Sequence, residues 1–331
     1  MTSVVVTGAG GFIGRRVVCA ANSAGYGVTA MVRKPYPDAV HSVIQHDLSL
    51  PLDKLPPADW IFHLAGAYAG AGDEELQNAD LAMARNVIHC GLAAGIKNWI
   101  FASAAEVYGD VHGTATEEAP TEPVIPYGRI KLKVERLLLE KTKDISNCRV
   151  VILRIGEVYG SESRLITELT ARLKRGFCPW PGTGDVPLRF VHVDDVAQAF
   201  SCVVRSAPAG ISVYNVADDM PATWLDFSVR VARLLGTRPP VFLPETVVHL
   251  YATCGTLACR VTGREPILTA HAVRLITTPK ALSNTRLKAR AGVRAALPQI
   301  FRRTGGSISW LITPLLRWQN GRKRTEQICC R

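Results

Sequence analysis

Tyr127 and Lys131 stand four positions apart in a stretch that reads as helix, so both project from one face of it. A phenol titrates at about 10 in water. An ammonium beside it, together with the positive charge of an oxidised nicotinamide, stabilises the phenolate and brings it into range for acid/base work on a hydroxyl or carbonyl. Such a pair also arises by chance, with the Tyr simply packed at a helix start, so its company decides. Gly8-Ala-Gly-Gly11-Phe-Ile-Gly14 is the first part of that company. Glycines spaced three and three permit a tight turn, a close backbone approach to a diphosphate and close packing of helix on strand, while free N–H groups at the helix start face the phosphates. The order strand, turn, helix at Gly8, Gly11 and Gly14 is the one dinucleotide binding needs; a glycine-rich turn without ligand is the plain alternative. Further on, Met31-Val32-Arg33-Lys34 ends the second strand with no acid before Asp38. An acid there would take a ribose 2′-hydroxyl, whereas Arg33, helped by Lys34 or Arg15, suits the 2′-phosphate of NADP. NAD stays the close alternative, and a solvated loop charge is the plain reading of Arg33.

These groups need a frame, and the first 155 residues supply one. Strand-like apolar runs at 4–7, 28–33, 60–65, 98–103 and 149–155 alternate with helical stretches at 12–24, 76–94 and 127–141. That alternation predicts an α/β fold, a doubly wound parallel sheet of Rossmann type with helices on both faces. Residues 1–155 are expected to form the dinucleotide-binding domain, with parts of 190–216 joining its core. Beyond residue 156 the alternation loosens and turn-rich breaks appear at 179–185 and 236–240, which predicts a smaller C-terminal α/β substrate-binding region over 156–305. Residues 306–331 form a basic, aromatic tail.

The 331 residues carry a net charge of +11, unevenly placed. Residues 1–259 hold 24 basic and 26 acidic groups, a net of −2, whereas residues 260–331 hold 15 basic groups against Glu265 and Glu326, a net of +13. A uniformly basic, nucleic-acid-coating protein is excluded. The nine cysteines form no CxxC, and no Cys/His spacing suits zinc, so no metal is expected and the thiols read as reduced, packed side chains. Met1-Thr-Ser-Val-Val-Val enters a strand with no basic leader, which predicts a cytoplasmic protein. The stretch 241–259 is apolar but interrupted by Pro244, Glu245 and His249, too broken for a confident span. Ser307-Ile-Ser-Trp310-Leu-Ile-Thr-Pro-Leu-Leu-Arg-Trp318 followed by Arg322-Lys-Arg324 can be read as an amphipathic element making a weak contact with an anionic membrane surface, or as ordinary packing with a solvated basic end.

Thr7-Gly8-Ala-Gly-Gly11-Phe-Ile-Gly14, His63-Leu-Ala65, Val107-Tyr-Gly109, Tyr127-Gly-Arg-Ile-Lys131, Leu153-Arg154, Val158-Tyr-Gly160 and Val191-His-Val-Asp-Asp195-Val-Ala follow one another in order. On these motifs residues 3–235 resemble the extended short-chain dehydrogenases/reductases of the NAD(P)-dependent nucleotide-sugar epimerase/dehydratase group. The resemblance implies that Gly8, Gly11, Phe12, Ile13 and Gly14 hold the cofactor diphosphate, that Asp47 and Leu48 contact the adenine, and that Leu64 and Ala65 line the cofactor's middle. It implies Tyr127 as the acid/base and Lys131 as the group that binds the nicotinamide ribose and depresses the phenol. Arg189 and His192 would face a nucleotide-diphosphate sugar, and a homodimer through the helix of Tyr127 and the long helix before it would be usual.

Four positions depart from that pattern. The family places Ser or Thr where this chain has Ala104; losing such a donor costs about 3 kcal/mol of barrier. Ser103 is adjacent, but successive strand residues face opposite ways, so it substitutes only if the strand ends or bulges there. Glu106 aligns with the base of the sugar-nucleotide dehydratases, whose Asp partner is Ala105 here, so it is either a solitary base or an exposed loop Glu. Glu157 and Asp80 each replace a usual Asn, and a carboxylate near a diphosphate repels it unless paired. Two functions stand open: an enzyme that moves a hydride to or from a nucleotide-linked sugar as epimerase, dehydratase or ketoreductase, and a cofactor-binding sensor or scaffold with weak or atypical catalysis.

Overall fold

A computed structural model describes residues 1–36, 40–66, 74–111, 113–160, 162–176, 178–188, 190–219, 222–262, 273, 276–279 and 281–291. In chain order these form β1 (Ser3–Thr7), α1 (Phe12–Ser23), β2 (Gly27–Val32), β3 (Ser42–Gln45), β4 (Trp60–His63), α2 (Glu74–Ala93), β5 (Asn98–Ala104), a 3-10 turn (Ala105–Val107), α3 (Pro126–Thr142), β6 (Arg149–Ile155), β7 (Glu157–Tyr159), α4 (Arg164–Lys174), β8 (Pro179–Pro181), β9 (Pro187–Leu188), β10 (Phe190–His192), α5 (Val193–Ser206), β11 (Gly210–Val216), β12 (Ala222–Thr223), α6 (Trp224–Leu235), β13 (Val241–Leu243), α7 (Glu245–Thr262) and α8 (Thr285–Ala291).

Seven strands make one sheet in the order β11-β6-β5-β4-β1-β2-β3, and every neighbouring pair is parallel. The expected doubly wound parallel sheet is present. Consecutive β-branched residues suit strands covered on both faces, and Val4, Val5 and Val6 are fully buried. Alternation along the strands divides the core. Val4, Val6, Phe62, Ile100 and Leu153 pack on α1 and α5, through Val17, Val18, Phe200 and Val203. Val5, Ile61, Trp99, Phe101 and Ile152 pack on α2 and α3, through Val87, Ile88, Val134 and Leu138. The strand at 42–45 was not anticipated, because an edge strand of four residues with alternate burial leaves little pattern to read. From β1 the chain winds outward to β2 and β3 on one side, then returns to β4 and continues through β5 and β6 on the other. The crevice between the carboxyl ends of β1 and β4 is therefore where such a sheet binds ligands.

A second core lies in the later half of the chain. Tyr159, Leu169, Trp180, Phe190, Trp224 and Phe227 cluster there, with Phe190 stacked on Phe227 at 4.4 Å between ring centroids. Three two-stranded pairs, β7 with β10, β8 with β13 and β9 with β12, frame it. Among the described cysteines Cys90, Cys148, Cys178, Cys202 and Cys254 carry free thiols as expected. Cys19 corrects that expectation: it is disulfide-bonded. Among the described residues no helix is long and apolar enough to cross a membrane, and no group of three or more His, Cys, Asp or Glu is placed to hold a metal. The tail at 306–331 lies outside the described residues.

Candidate active site

At the end of β1 the chain turns at Gly8 in a left-handed conformation, with φ +68°. A Cβ on Gly8 would stand 2.7 Å from the Ala65 nitrogen, so the absence of a side chain lets the turn lie directly on the chain leaving β4. At Gly14 a Cβ would fall 2.1 Å from the Gly8 carbonyl oxygen, so α1 starts as close to the turn as backbone allows. Gly11 caps α1 with no side-chain hydrogen bond, and the first turn carries no acid. The open N–H groups of that turn and the helix dipole together suit an anion. The cradle fits a dinucleotide diphosphate on these observations. Phe12 packs at Gly160, where a Cβ would sit 3.1 Å from its ring.

Thr7 and His63 were quoted in the sequence only as parts of motifs, and the structure gives them work. Thr7 Oγ1 lies 2.8 Å from His63 Nδ1 and accepts the backbone N–H groups of Leu64 and Ala65, each at 3.2 Å, tying the ends of β1 and β4 together. Burial, then the nearby Lys131 ammonium, pushes His63 down to about 3, so this imidazole is neutral. Arg33 is exposed at the end of β2. Asp47 follows β3; hydrogen bonds from the Ser49 hydroxyl and N–H hold its carboxyl below the usual range, with Arg33 adding to the effect. Leu48 is buried beside it.

Tyr127 opens α3 and Lys131 follows one turn later. The Lys131 ammonium lies 5.5 Å from the centre of the Tyr127 ring, 5.3 Å from that of Phe101, and donates to the Ala102 carbonyl at 3.4 Å. A Cβ on Gly66 would stand 3.0 Å from Asp80 Oδ2 and 3.1 Å from Lys131 Nζ, which places that carboxylate, that ammonium and the chain after β4 together. Gly128 lets α3 press on the 3-10 turn, since a Cβ there would meet the Glu106 carbonyl at 2.2 Å. Burial raises the Tyr127 phenol well above its ordinary value, and Glu106, Asp80 and Glu157 raise it further. Burial lowers Lys131, and Asp80, Glu106 and Glu135 oppose that. The sequence led us to expect a depressed phenol. In the protein by itself burial acts first, and the three carboxylates add to it.

Beneath this centre lies a buried network that sequence reading missed. Ser103 on β5 and Arg154 on β6 are register partners, both facing α3, where Glu135 sits one turn beyond Lys131. Arg154 donates to the two carboxylate oxygens of Glu135 at 3.2 and 2.8 Å, and the Ser103 hydroxyl donates to the first of them at 2.5 Å. Arg154 also lies over the Tyr108 ring at 4.8 Å, and the Tyr108 hydroxyl donates to Asn215 Oδ1 at 2.7 Å. A charged residue inside an apolar strand, with a second charge at helical spacing after Lys131, was the signal available. Ser103 is accordingly corrected as a stand-in for the hydroxyl missing at Ala104. The strand neither ends nor bulges there, its register continuing through Ala104 opposite Ile155, and the hydroxyl is spent on Glu135.

Of the other expected positions, Glu106 and Glu157 stand within electrostatic reach of Tyr127. Glu106 is buried, not an exposed loop acid, and Glu157 is half-buried at the start of β7. His192 caps α5, its Nδ1 accepting the Asp194 N–H at 3.3 Å; burial lowers its titration, so the ring is held as a neutral cap. Arg189 lies outside the described residues. Asp195, buried at the start of α5, is pushed up to about 7 by burial and then by Asp218 and Asp194.

A glycine cradle at the switch point of a parallel α/β sheet is the architecture of dinucleotide-binding proteins. The model of the NAD dependent epimerase/dehydratase family matches residues 4–217, and the chain belongs to that family. It is 30% identical over 195 residues to protein YeeZ of Escherichia coli strain K12, a match covering 58% of this chain and 64% of that relative, less than two thirds of its length. It is 25% identical over 294 residues to 3beta-hydroxysteroid-dehydrogenase/decarboxylase isoform 1 of Arabidopsis thaliana, covering 79% and 67% of the two chains. The solved structure of MoeE5 in complex with UDP-glucuronic acid and NAD superposes with a TM-score of 0.71 at 25% identity, over 88% of this chain and 92% of that one. Family and fold together support a nicotinamide cofactor.

Proposed function

We propose that the protein oxidises a hydroxyl-bearing carbon of a nucleotide-diphosphate sugar, or reduces the corresponding carbonyl, with Tyr127 as acid/base and Lys131 as its partner. The observation that carries this is the Lys131 ammonium against Gly66, on the chain leaving β4, with the Tyr127 ring 5.5 Å from that ammonium. The UDP-sugar and NAD bound by MoeE5 support the substrate class. Gly8, Gly11, Phe12, Ile13 and Gly14 would hold the diphosphate of the cofactor, Asp47 and Leu48 its adenine end, and Leu64 and Ala65 its middle. When bound, the cofactor supplies a hydride acceptor or donor and, oxidised, a positive charge beside the phenol. Tyr127 then takes the proton from the reacting hydroxyl, or returns it, through its phenolic oxygen. Lys131 stabilises the phenolate and orients the ribose, and Glu106 stands within electrostatic reach for abstracting a proton next to a carbonyl. Arg33 favours NADP over NAD. Residues 1–155 with β11 would form the cofactor domain and 156–305 the sugar-binding region, with His192 and Glu157 on its near edge. A homodimer through α2 and α3 fits this scheme.

A second reading has its own observation. Ala104 offers no hydroxyl, Ser103 is committed elsewhere, and three carboxylates oppose the phenolate, so the same scaffold also suits a cofactor-binding protein with weak catalysis. Turnover of UDP-hexoses with NADP+ and NAD+, and of UDP-4-ketohexoses with NADPH and NADH, followed by nicotinamide absorbance and by sugar analysis, separates the two. Wild-type turnover abolished in Tyr127→Phe supports the enzyme, and a gain of about tenfold or more in Ala104→Ser marks a scaffold lacking one donor. Undiminished turnover in Tyr127→Phe would sink the mechanism.

A further inference from the structure

Two helices carry a charge where packing alone calls for carbon. On α2, Asp80 precedes Ala84, Val87 and Ile88 at steps of four, three and one, and on α3, Lys131 precedes Val134 and Leu138 at steps of three and four. Ala84, Val87, Ile88, Val134 and Leu138 share one core, so both charges lie on the faces that these helices turn inward. Asp80 is 4% exposed and Lys131 6%. A buried carboxylate costs free energy unless an opposite charge or hydrogen bonds compensate it. Packing of α2 would be served by an apolar side chain at this position, so the acid answers a different demand.

Geometry says which demand. A Cβ on Gly66 would stand 3.0 Å from Asp80 Oδ2 and 3.1 Å from Lys131 Nζ. The two charges are therefore at most about 6 Å apart, close enough for each to favour the charged form of the other. The remaining groups around Lys131 serve it less. Glu135, on α3 itself, is committed to Arg154 of β6 and to the Ser103 hydroxyl. Glu157 of β7 acts on the Tyr127 phenol, which is neutral in the protein by itself, and the neutral His63 of β4 adds no charge. Burial lowers the titration of Lys131, and Asp80 opposes that ahead of Glu106 of the 3-10 turn and of Glu135.

We propose that Asp80 is a positioning residue of the Tyr127–Lys131 pair: its buried carboxylate holds the Lys131 ammonium, charged, against the chain at Gly66. The proposal rests on the reading of Tyr127 as acid/base and Lys131 as its partner, and it sets the alkaline limit of their work, since without Asp80 the buried ammonium gives up its proton at a lower pH.

The test is an NMR titration of the full chain carrying isotope-labelled lysine, without cofactor or substrate, followed at the Lys131 Cε resonance and assigned by its absence from Lys131→Arg. Asp80→Asn keeps the size of the side chain and removes its charge, and Asp80→Ser removes the charge in a smaller one. In both the Lys131 midpoint is expected to fall by about one pH unit or more, and in Asp80→Glu most of that fall is recovered. Unfolding would move Lys131 the other way, up to its ordinary value, so a fall does not come from a damaged fold. The alkaline limb of kcat moves down by the same amount, with KM for the sugar little changed. An unmoved Lys131 midpoint in the two uncharged variants overturns the proposal, and a kcat lowered equally at every pH beside it would mark Asp80 as a packing residue. A midpoint that falls while the limb of kcat stays in place upholds the hold on Lys131 and refutes instead the catalytic reading of the pair.

Discussion

Replacing Glu135 with Leu strips the counter-charge from Arg154 at a place water does not reach. The side chains of the pair are 3% and 8% exposed, and two N–H donors of Arg154 point at the two carboxylate oxygens. Removing one partner of such a pair leaves an uncompensated buried charge, which costs about 3–5 kcal/mol, and the Ser103 hydroxyl loses its acceptor as well. Arg154→Leu strands the carboxylate and belongs in the same range. The double variant Glu135→Leu, Arg154→Leu removes both charges and fills the space with carbon, so its loss is about 1–2 kcal/mol. A coupling of about 4 kcal/mol or more between the two positions follows. Urea unfolding followed by Trp fluorescence gives the free energies, and calorimetry should place each single variant roughly 5–10 °C below the wild type. Because Glu135 also supports the charged state of Lys131, Glu135→Gln lowers the Lys131 titration further, so turnover that needs its ammonium should be lost at a lower pH than in the wild type. The reasoning fails if each single change costs under about 1 kcal/mol, or if the double variant loses the sum of the two.

Three further outcomes are expected. Gly14→Ala drives a Cβ to 2.1 Å from the Gly8 carbonyl, a backbone atom that cannot yield cheaply, so titration calorimetry should find NADPH and NADH binding weakened about a hundredfold or lost. Arg33→Ala should weaken NADPH about tenfold or more and leave NADH within about threefold; equal effects on both would remove Arg33 from cofactor selection. Asp195 titrates at about 7 in the folded protein against the ordinary 3.8, so folding favours its protonated form. Its cost is absent below about 4, grows as pH rises and is complete above about 7, reaching at most roughly 4 kcal/mol. The Tm of Asp195→Asn should therefore match that of the wild type at pH about 4 and exceed it by several degrees at pH about 8, whereas a constant gap would show that the carboxyl does not titrate in this window.

Much of the architecture was legible because it is written in local pattern. Runs of β-branched residues buried on both faces, the glycine spacing from Gly8 to Gly14 and the four-residue step from Tyr127 to Lys131 each depend on neighbours a few positions apart. The edge strand at Ser42–Gln45 was invisible for the same reason: with one face open to solvent and four residues of length it carries too little pattern. Ser103 shows the limit inside the site. Its type and position admitted a role beside Tyr127 until register set it opposite Arg154 and packing brought Glu135 onto both.

By itself, then, the sequence determined the class of fold, the cradle and the candidate acid/base pair, since backbone turns and helical spacing follow from residues close together along the chain. Only the tertiary structure decided how those groups titrate and with whom they pair. Asp80, Glu106 and Glu157 converge on Tyr127 from α2, the 3-10 turn and β7, and Coulomb energy depends on distance through space and on burial, neither of which a linear order of residues contains.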